Sequence, residues 1–541
     1  MSQPLLRSSP LARTGGARLG LAPGRLKSLD ALRGLTIATM ILVDNAGGAF
    51  PAIDHSPWDG VTLADLVMPT FDWIVGVSVV LSLSRFTSAA RGSAVPPAAA
   101  AAFVPSSINA AGDGRPRLYN FPKVTDDALS TARVLQKVLV RFAKLFVLGV
   151  ATQGGVGLFE YDLQHIRVMG ILQRVAVCFL VAALCEVLLP TLRCANVFAK
   201  YALHWAVAAA LVAAHSAIMY GLHVPGCGRG VLTPRCNAQS LVDQRVLGIE
   251  HMYFPWNGGD PTGRDLTTQR MPECSVCSPG KCAPPLGWNV SSSVQFAPWC
   301  DPVCVAGKFC HGAFDPEGLV SSLTASVAPI FGMHAAHVFQ MERSHSKRLL
   351  HWGTMAAAQL VVGVALDRAN LIRANTDLYS ISFLLITSGV STALLCLAYL
   401  ACDCDFAEAE PIQSTVAGRR RQVTNPTICS RIFMRPQSPF VWLGRNSIAI
   451  YVLAEGGILQ WPCSWFWWGF SDRSLANLLW PTGAIWGDRT SCPAAFGQPG
   501  STRPAEHASH NVHVLVWTLG YILLMIIIAR VLDARGIYFK I

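Results

Sequence analysis

The chain has 541 residues, of which 52% are hydrophobic and only 14% charged, and its mean hydropathy is +0.39. Average soluble chains carry about 25% charged residues, so composition excludes an ordinary soluble globule and points to a polytopic membrane protein. The net charge of +11 does not argue for nucleic acid, because the basic residues stand beside the ends of apolar runs and no aromatic-interleaved basic module occurs.

Residues 1–24 form a basic tail holding Arg7, Arg13 and Arg18 and no acid. They lack the apolar h-region of a cleavable signal peptide, so a cytosolic tail is expected; an organellar transit peptide is the other reading. Residues 25–541 read as one membrane domain. Ten apolar runs approach the roughly 20 residues that span a bilayer. They lie near 32–50, 61–83, 134–152, 168–190, 201–222, 318–340, 350–368, 379–401, 439–458 and 511–530. Between them, 92–130 is an Ala/Pro/Gly/Ser-rich linker, 223–316 a cysteine-rich loop, 402–435 a basic loop and 459–510 a second long loop. The fold class expected is all-α, with about ten transmembrane helices and a large disulfide-rich lumenal loop.

Orientation follows from the Lys/Arg bias of short loops. With the N-terminus in the cytosol, the cytosolic segments collect Arg193, Lys200, Arg343, Lys347, Arg348 and the Arg419–Arg421 run, while the short opposite loops near 51–60, 153–166 and 369–378 hold only Arg373. The loops 223–316 and 459–510 then face the lumen with ten of the 17 cysteines. An oxidising lumen favours disulfides. Zinc is the rival, because Cys274-Ser-Val-Cys277 and Cys300-Asp-Pro-Val-Cys304 have ligand spacing. Asn289-Val-Ser291 is a glycosylation acceptor in the same loop.

The densest motif joins the first two runs. Arg25-Leu-Lys-Ser-Leu-Asp-Ala-Leu-Arg-Gly34 opens the first, Asp44-Asn45-Ala-Gly-Gly48 closes it, and Asp54-His55-Ser-Pro-Trp58-Asp-Gly60-Val-Thr62-Leu-Ala-Asp65 leads into the second. A lone histidine thus sits among four carboxylates beside a membrane helix, where ionisable groups are costly and therefore functional candidates. Further along stand Arg167-Val-Met-Gly170-Ile-Leu-Gln173-Arg174, Val242-Asp243 through His251-Met-Tyr253, Phe314-Asp315-Pro316-Glu317-Gly318, Asn375-Thr-Asp-Leu378-Tyr-Ser380 and Pro439 through Leu-Gly444-Arg-Asn446-Ser447 to Glu455.

In this order these motifs resemble the membrane-bound heparan-α-glucosaminide N-acetyltransferase family, in a form closer to its plant and algal branch. The resemblance implies transfer of acetyl from acetyl-CoA to a sugar amine across a membrane, with a histidine at the place of His55 taking part. Asp44 stands where the animal enzymes carry asparagine and Ala454 where they carry histidine. These departures leave the acceptor open.

The chemistry suits the residues. A sugar ammonium must lose a proton before it attacks a thioester, and an imidazole with an ordinary pKa near 6.5 takes that proton. Asp44 is expected to orient the ring, with Asn45 beside it; capping a helix or bonding a backbone carbonyl is the bland alternative for His55. Direct attack is favoured over an acetyl-histidine intermediate. Gln173 and Arg174 lie inside the fourth run, where an unpaired cation costs about 2.5–3.5 kcal/mol; lining an acetyl-CoA tunnel and forming a structural ion pair are equal readings. Asn446 either bonds pantetheine amides or packs helices. Arg133, Lys137, Arg141 and Lys144 share one helix face, placed to hold CoA phosphates or to anchor to lipid headgroups. Asp65, Asp243, His251, Glu317 and Glu455 are the expected acceptor-binding residues.

The expected activity is therefore a transmembrane acetyltransferase using cytosolic acetyl-CoA and a lumenal glucosamine-type acceptor. Polysaccharide O-acetylation and a non-enzymatic transporter-like role are the rivals. No metal and no nucleic acid are expected; the partners are acetyl-CoA, an amino sugar or glycan, the bilayer and a second copy in a homodimer. The lysosomal or vacuolar membrane is the expected location, ahead of the Golgi and plasma membrane.

Overall fold

A computed structural model describes residues 26–47, 50, 52–56, 58–90, 124–153, 166–233, 236–248, 251–252, 277–278, 281–282, 303–305, 309–311, 314–403, 439–455 and 504–539. Asn289, the side chain of Glu455, and Cys274, Cys300, Cys463 and Cys492 lie outside the described residues.

The described residues are mostly helical. In chain order they form α1 (Lys27–Ala46), a 3-10 turn (Ala64–Leu66) that feeds α2 (Val67–Ala90), α3 (Val124–Gln153), α4 (Ile171–Leu188), the one-turn α5 (Val197–Lys200) and α6 (Ala202–Gly221). Then come α7 (Ala238–Leu247), α8 (Leu319–Ala325), α9 (Ala328–Met341), α10 (His345–Arg368), α11 (Ile381–Cys402), α12 (Pro439–Arg445), α13 (Ser447–Glu455) and α14 (Pro504–Ala534). Among the described residues seven stretches are long and apolar enough to cross a bilayer: 64–83, 171–188, 202–221, 319–341, 345–368, 381–402 and 514–534. The chain is thus a polytopic membrane protein.

Three of the ten expected runs are not in that set. The run at 32–50 belongs to α1, which carries Asp30, Arg33 and Asp44. The run at 134–152 belongs to α3, which carries Arg133, Lys137, Arg141 and Lys144. The run at 439–458 is broken at Asn446 into α12 and α13. A second break falls at Ser326–Val327, between α8 and α9, where Pro329 starts the second helix without needing an amide donor. The sequence does not single out this pair of interrupted helices, although Ser326 with Pro329, and Gly444-Arg445-Asn446-Ser447, are polar or helix-breaking residues at the two breaks.

The bundle is held by close helix crossings. Gly34 of α1 lies on the backbone of Phe440 in α12, and Gly444 of α12 lies on the backbone of Asp30 in α1. A side chain on either glycine would occupy its neighbour's backbone, so the Leu-Arg-Gly and Leu-Gly-Arg motifs are the two halves of one joint. Arg445 continues it, bonding Asp533 of α14 at 2.9 Å. Trp73, Trp352, Phe383 and Tyr399 fill the interior. Leu350, Val361 and Val362 on α10, and Val516, Leu519 and Leu523 on α14, face outward, as helices facing hydrocarbon do.

The connections gather at two ends. At one end the α1–α2 loop pairs with the α10–α11 loop through Asp59 and Asn375, and Trp58 Nε1 donates to Leu232 O at 3.1 Å. At the other end the start of α1 meets the end of α11, Ser28 N donating to Asp403 Oδ2 at 2.7 Å. The segment between α6 and α8 adds an antiparallel pair β1–β2 (His223–Val224, Gly228–Arg229) and a disulfide between Cys227 and Cys236. It also holds two tight hairpins, β3–β4 (Cys277–Ser278, Lys281–Cys282) and β5–β6 (Val303–Val305, Phe309–His311), additions to an otherwise helical fold.

Candidate functional site

The loop between α1 and α2 is folded around one carboxylate. Asp65 Oδ2 accepts from the backbone of Ser56 at 3.1 Å, from the backbone of Thr62 at 2.9 Å and from the Thr62 hydroxyl at 3.0 Å. Its Oδ1 meets His55 Nδ1 at 2.7 Å. With every acceptor position used, Asp65 is fixed, and it fixes the imidazole. Nε2 is the ring nitrogen that Asp65 does not engage. The His55 side chain is 59% exposed while Asp65 is wholly buried, so a fixed imidazole stands at an open mouth.

The carboxylate that bonds the ring in the structure is Asp65, where the sequence suggests Asp44. The Asp44 side chain is exposed and acts on the ring through its charge. Asn45 turns back onto its own helix, donating to Ile41 O at 2.7 Å. Desolvation lowers the proton affinity of His55, but the hydrogen bond to Asp65 and the charges of Asp65, Asp44 and Asp54 outweigh it. The pKa is raised from 6.5 to about 9.

Around the mouth the loops are locked by polar contacts. Asn375 Nδ2 donates to Trp58 O at 2.9 Å and Gly60 N to Ala374 O at 2.7 Å. Arg167, at the start of α4, bonds Asp315 at 2.7 Å and also Glu317. Burial raises the Glu317 carboxyl, and the Arg167 and Arg174 guanidiniums more than offset that, leaving it lowered. Asp377 is pushed up to about 7, chiefly by burial, with Glu317 and Asp65 adding to the rise and His55 opposing it. Asp65, Glu317 and Asp377 thus come together with His55. Asp377 is absent from the residues the sequence singles out; its position two residues after Asn375 in a named motif is the one signal available.

Two expected acceptor residues serve the scaffold. Asp243 Oδ1 accepts from Leu319 N at 2.9 Å, capping the start of α8, and burial beside Asp315 pushes its carboxyl up to about 8. His251 Nδ1 lies 2.9 Å from Ile166 O, tying the long loop to the start of α4.

Below the mouth lies a buried polar level. Arg174 of α4 donates through Nη2 to Ser321 Oγ at 2.7 Å and to Pro316 O, and its guanidinium lies 5.3 Å from the centre of the Tyr379 ring. Gln173 and Asn446 are buried, and neither side-chain amide has a hydrogen-bond partner among the described residues. Lys137 is exposed on α3, and Arg141 lies 4.7 Å from the centre of the Phe179 ring.

No family model matches the chain. It is 23% identical over 480 residues to the heparan-alpha-glucosaminide N-acetyltransferase of Homo sapiens, covering 83% of this chain and 55% of that protein. It is 22% identical over 473 residues to the protein of the same name from Mus musculus, covering 82% and 55%. The chain spans about half the length of the curated relatives it matches. These matches make it a distant relative of the heparan-alpha-glucosaminide N-acetyltransferase family.

Proposed function

We propose that the chain is a membrane acetyltransferase that moves acetyl from acetyl-CoA on the cytosolic side to the amine of a lumenal amino sugar, with His55 as general base. The carrying observation is the Asp65–His55 pair at 2.7 Å, which leaves Nε2 aimed at an open mouth. The acceptor binds as an ammonium beside Asp54, Asp44 and Asp377, whose charges suit a cation better than a neutral hydroxyl or an acidic sugar. Nε2 takes one proton from the ammonium, the freed amine attacks the thioester carbonyl, and CoA leaves as the thiol, carrying the amine's second proton. Direct attack is preferred, since a deprotonated amine needs no covalent relay.

The donor enters from the opposite end. Gln173 and Asn446 offer buried, unpartnered amide groups to the pantetheine arm, and Lys137 and Arg141 offer cations to the phosphates. The two interrupted helices favour one second reading, a transporter-like protein, because half-helix ends commonly bind substrates in transporters. A lysosomal or vacuolar membrane suits the acceptor class.

Sealed vesicles carrying the chain, labelled acetyl-CoA outside and glucosamine inside separate these readings. Labelled N-acetylglucosamine inside, lost in His55→Ala by about 10²-fold or more, is the expected result. Uptake of unmodified solute without acetyl transfer would favour the transporter reading. An acetyl label retained on His55 without acceptor would replace direct attack by a covalent route.

A further inference from the structure

Tyr379 stands at a costly position. It is fully buried, its hydroxyl has no hydrogen-bond partner among the described residues, and its backbone is left-handed with φ at +47°. L-residues avoid that region, and such strain persists where the surroundings over-determine it. Here the α10–α11 turn over-determines it. The Asn375 side chain accepts from Leu378 N at 2.8 Å, and its amide donates to Trp58 O in the His55 loop at 2.9 Å. The hydrogen bonds that hold the His55 loop therefore also force Tyr379 inward.

A second unused donor lies beside it. Arg174 is 3% exposed and its Nε has no partner among the described residues, while Nη2 is anchored at Pro316 and Ser321. The guanidinium sits 5.3 Å from the Tyr379 ring centre. Both donors are tied to the segments that frame the mouth: Tyr379 follows Asn375, which bonds Trp58 O of the His55 loop, and Arg174 bonds Pro316 O, next to Glu317. Asp72 of α2, whose carboxylate lies against the Cys178 thiol, is coupled electrostatically to both.

We infer that Tyr379 Oη–H and Arg174 Nε–H hold the acetyl carbonyl oxygen of the donor while negative charge develops on it. This rests on the acetyltransferase reading. The amine nitrogen, its first proton already on His55 Nε2, bonds the carbonyl carbon. The C=O pair moves onto oxygen, where the two donors receive it. The C=O bond then reforms, the C–S bond breaks, its electron pair leaves on the CoA sulfur, and the second amine proton goes to that sulfur. Fixed donors in a dry interior need no reorganisation when that charge appears.

Tyr379→Phe in the full chain is the test, read by steady-state kinetics, by thermal melting and by the Kd of S-ethyl-CoA, which lacks the carbonyl. The expected result is kcat down by about 10²-fold, with the Kd of S-ethyl-CoA within about threefold of wild type. The melting temperature should hold or rise, because an unpartnered buried hydroxyl has been removed. A kcat within threefold of wild type, a loss that appears in the Kd of S-ethyl-CoA, or a fall in melting temperature showing that the hydroxyl is spent on Asp72, overturns the inference. His55→Ala run in parallel separates the two levels. If it keeps wild-type kcat the acetyltransferase reading fails; if it is inactive while Tyr379→Phe is not, only the role of Tyr379 and Arg174 fails.

Discussion

The imidazole at the mouth, the base of the proposed mechanism, is held toward its charged form by the carboxylates around it. Asp65, Asp44 and Asp54 hold the imidazolium, raising the pKa from 6.5 to about 9. The neutral form that accepts a proton is therefore a minority species at pH 7. The expected consequence is a kcat/KM that climbs about tenfold per pH unit below the His55 pKa and levels off above it. Asp65→Asn removes the hydrogen-bonded charge, so the rising limb should move toward acid while the plateau falls, because the ring loses its fixed tautomer. Asp54→Asn should move the limb less and keep the plateau. A pH–rate profile of the three proteins checks this, and an unshifted limb in Asp65→Asn would remove Asp65 from the role. The histidine and its acidic surroundings can be read from one short stretch of sequence. Which acid touches it cannot, since Asp44 and Asp65 are both near and the choice depends on how Thr62 and Ser56 fold the loop over one oxygen.

At the scale of elements, apolar length shows seven crossing stretches plainly, because a span must be long whatever it packs against. The helix breaks at Ser326–Val327 and Asn446 coincide with polar residues and, in the first, a nearby Pro329, but window-averaged hydropathy over a whole span hides them. Asn446 is 1% exposed with both amide atoms unpartnered among the described residues, a destabilising arrangement unless a ligand uses it. Asn446→Leu should raise the melting temperature of the unliganded protein and weaken acetyl-CoA binding by about tenfold, the worth of one such bond. A variant that binds acetyl-CoA as wild type would mark Asn446 as a helix-packing residue. The cysteines of the long loop follow the same logic. Cys227 and Cys236 are bridged, and the strand registers set Cys277 opposite Cys282 and Cys304 opposite Cys310. Cross-strand partners lie within bridging reach, so peptide mapping should recover these three pairs, and free thiols at 277 and 282 would refute the second.

At the scale of the whole molecule, the two ends differ in what they hold. The His55 end gathers Asp54, Asp59, Asp65, Asp315, Glu317 and Asp377, with Arg167, Arg229, Arg245, Arg368 and the exposed Arg373 as its cations. The opposite end gathers Lys200, Arg343, Lys347 and Arg348 in its short connections. Positive residues are retained on the cytosolic side, so the orientation we propose sets the His55 end toward the lumen. In the proposed mechanism donor and acceptor then approach from opposite faces and meet at the level of Arg174 and Tyr379. A native reporter tests this. Cys194 is a free, exposed thiol in the connection between α4 and α5, at the opposite end from His55. An impermeant maleimide added to sealed vesicles with their cytosolic face outward should label Cys194 at once. Asp54→Cys should stay protected until the membrane is opened, because it sits in the His55 loop. Equal labelling of both without permeabilisation would place the two ends on one side. Transfer across the membrane would then be impossible, and acetyl-CoA and acceptor would have to share an aqueous face.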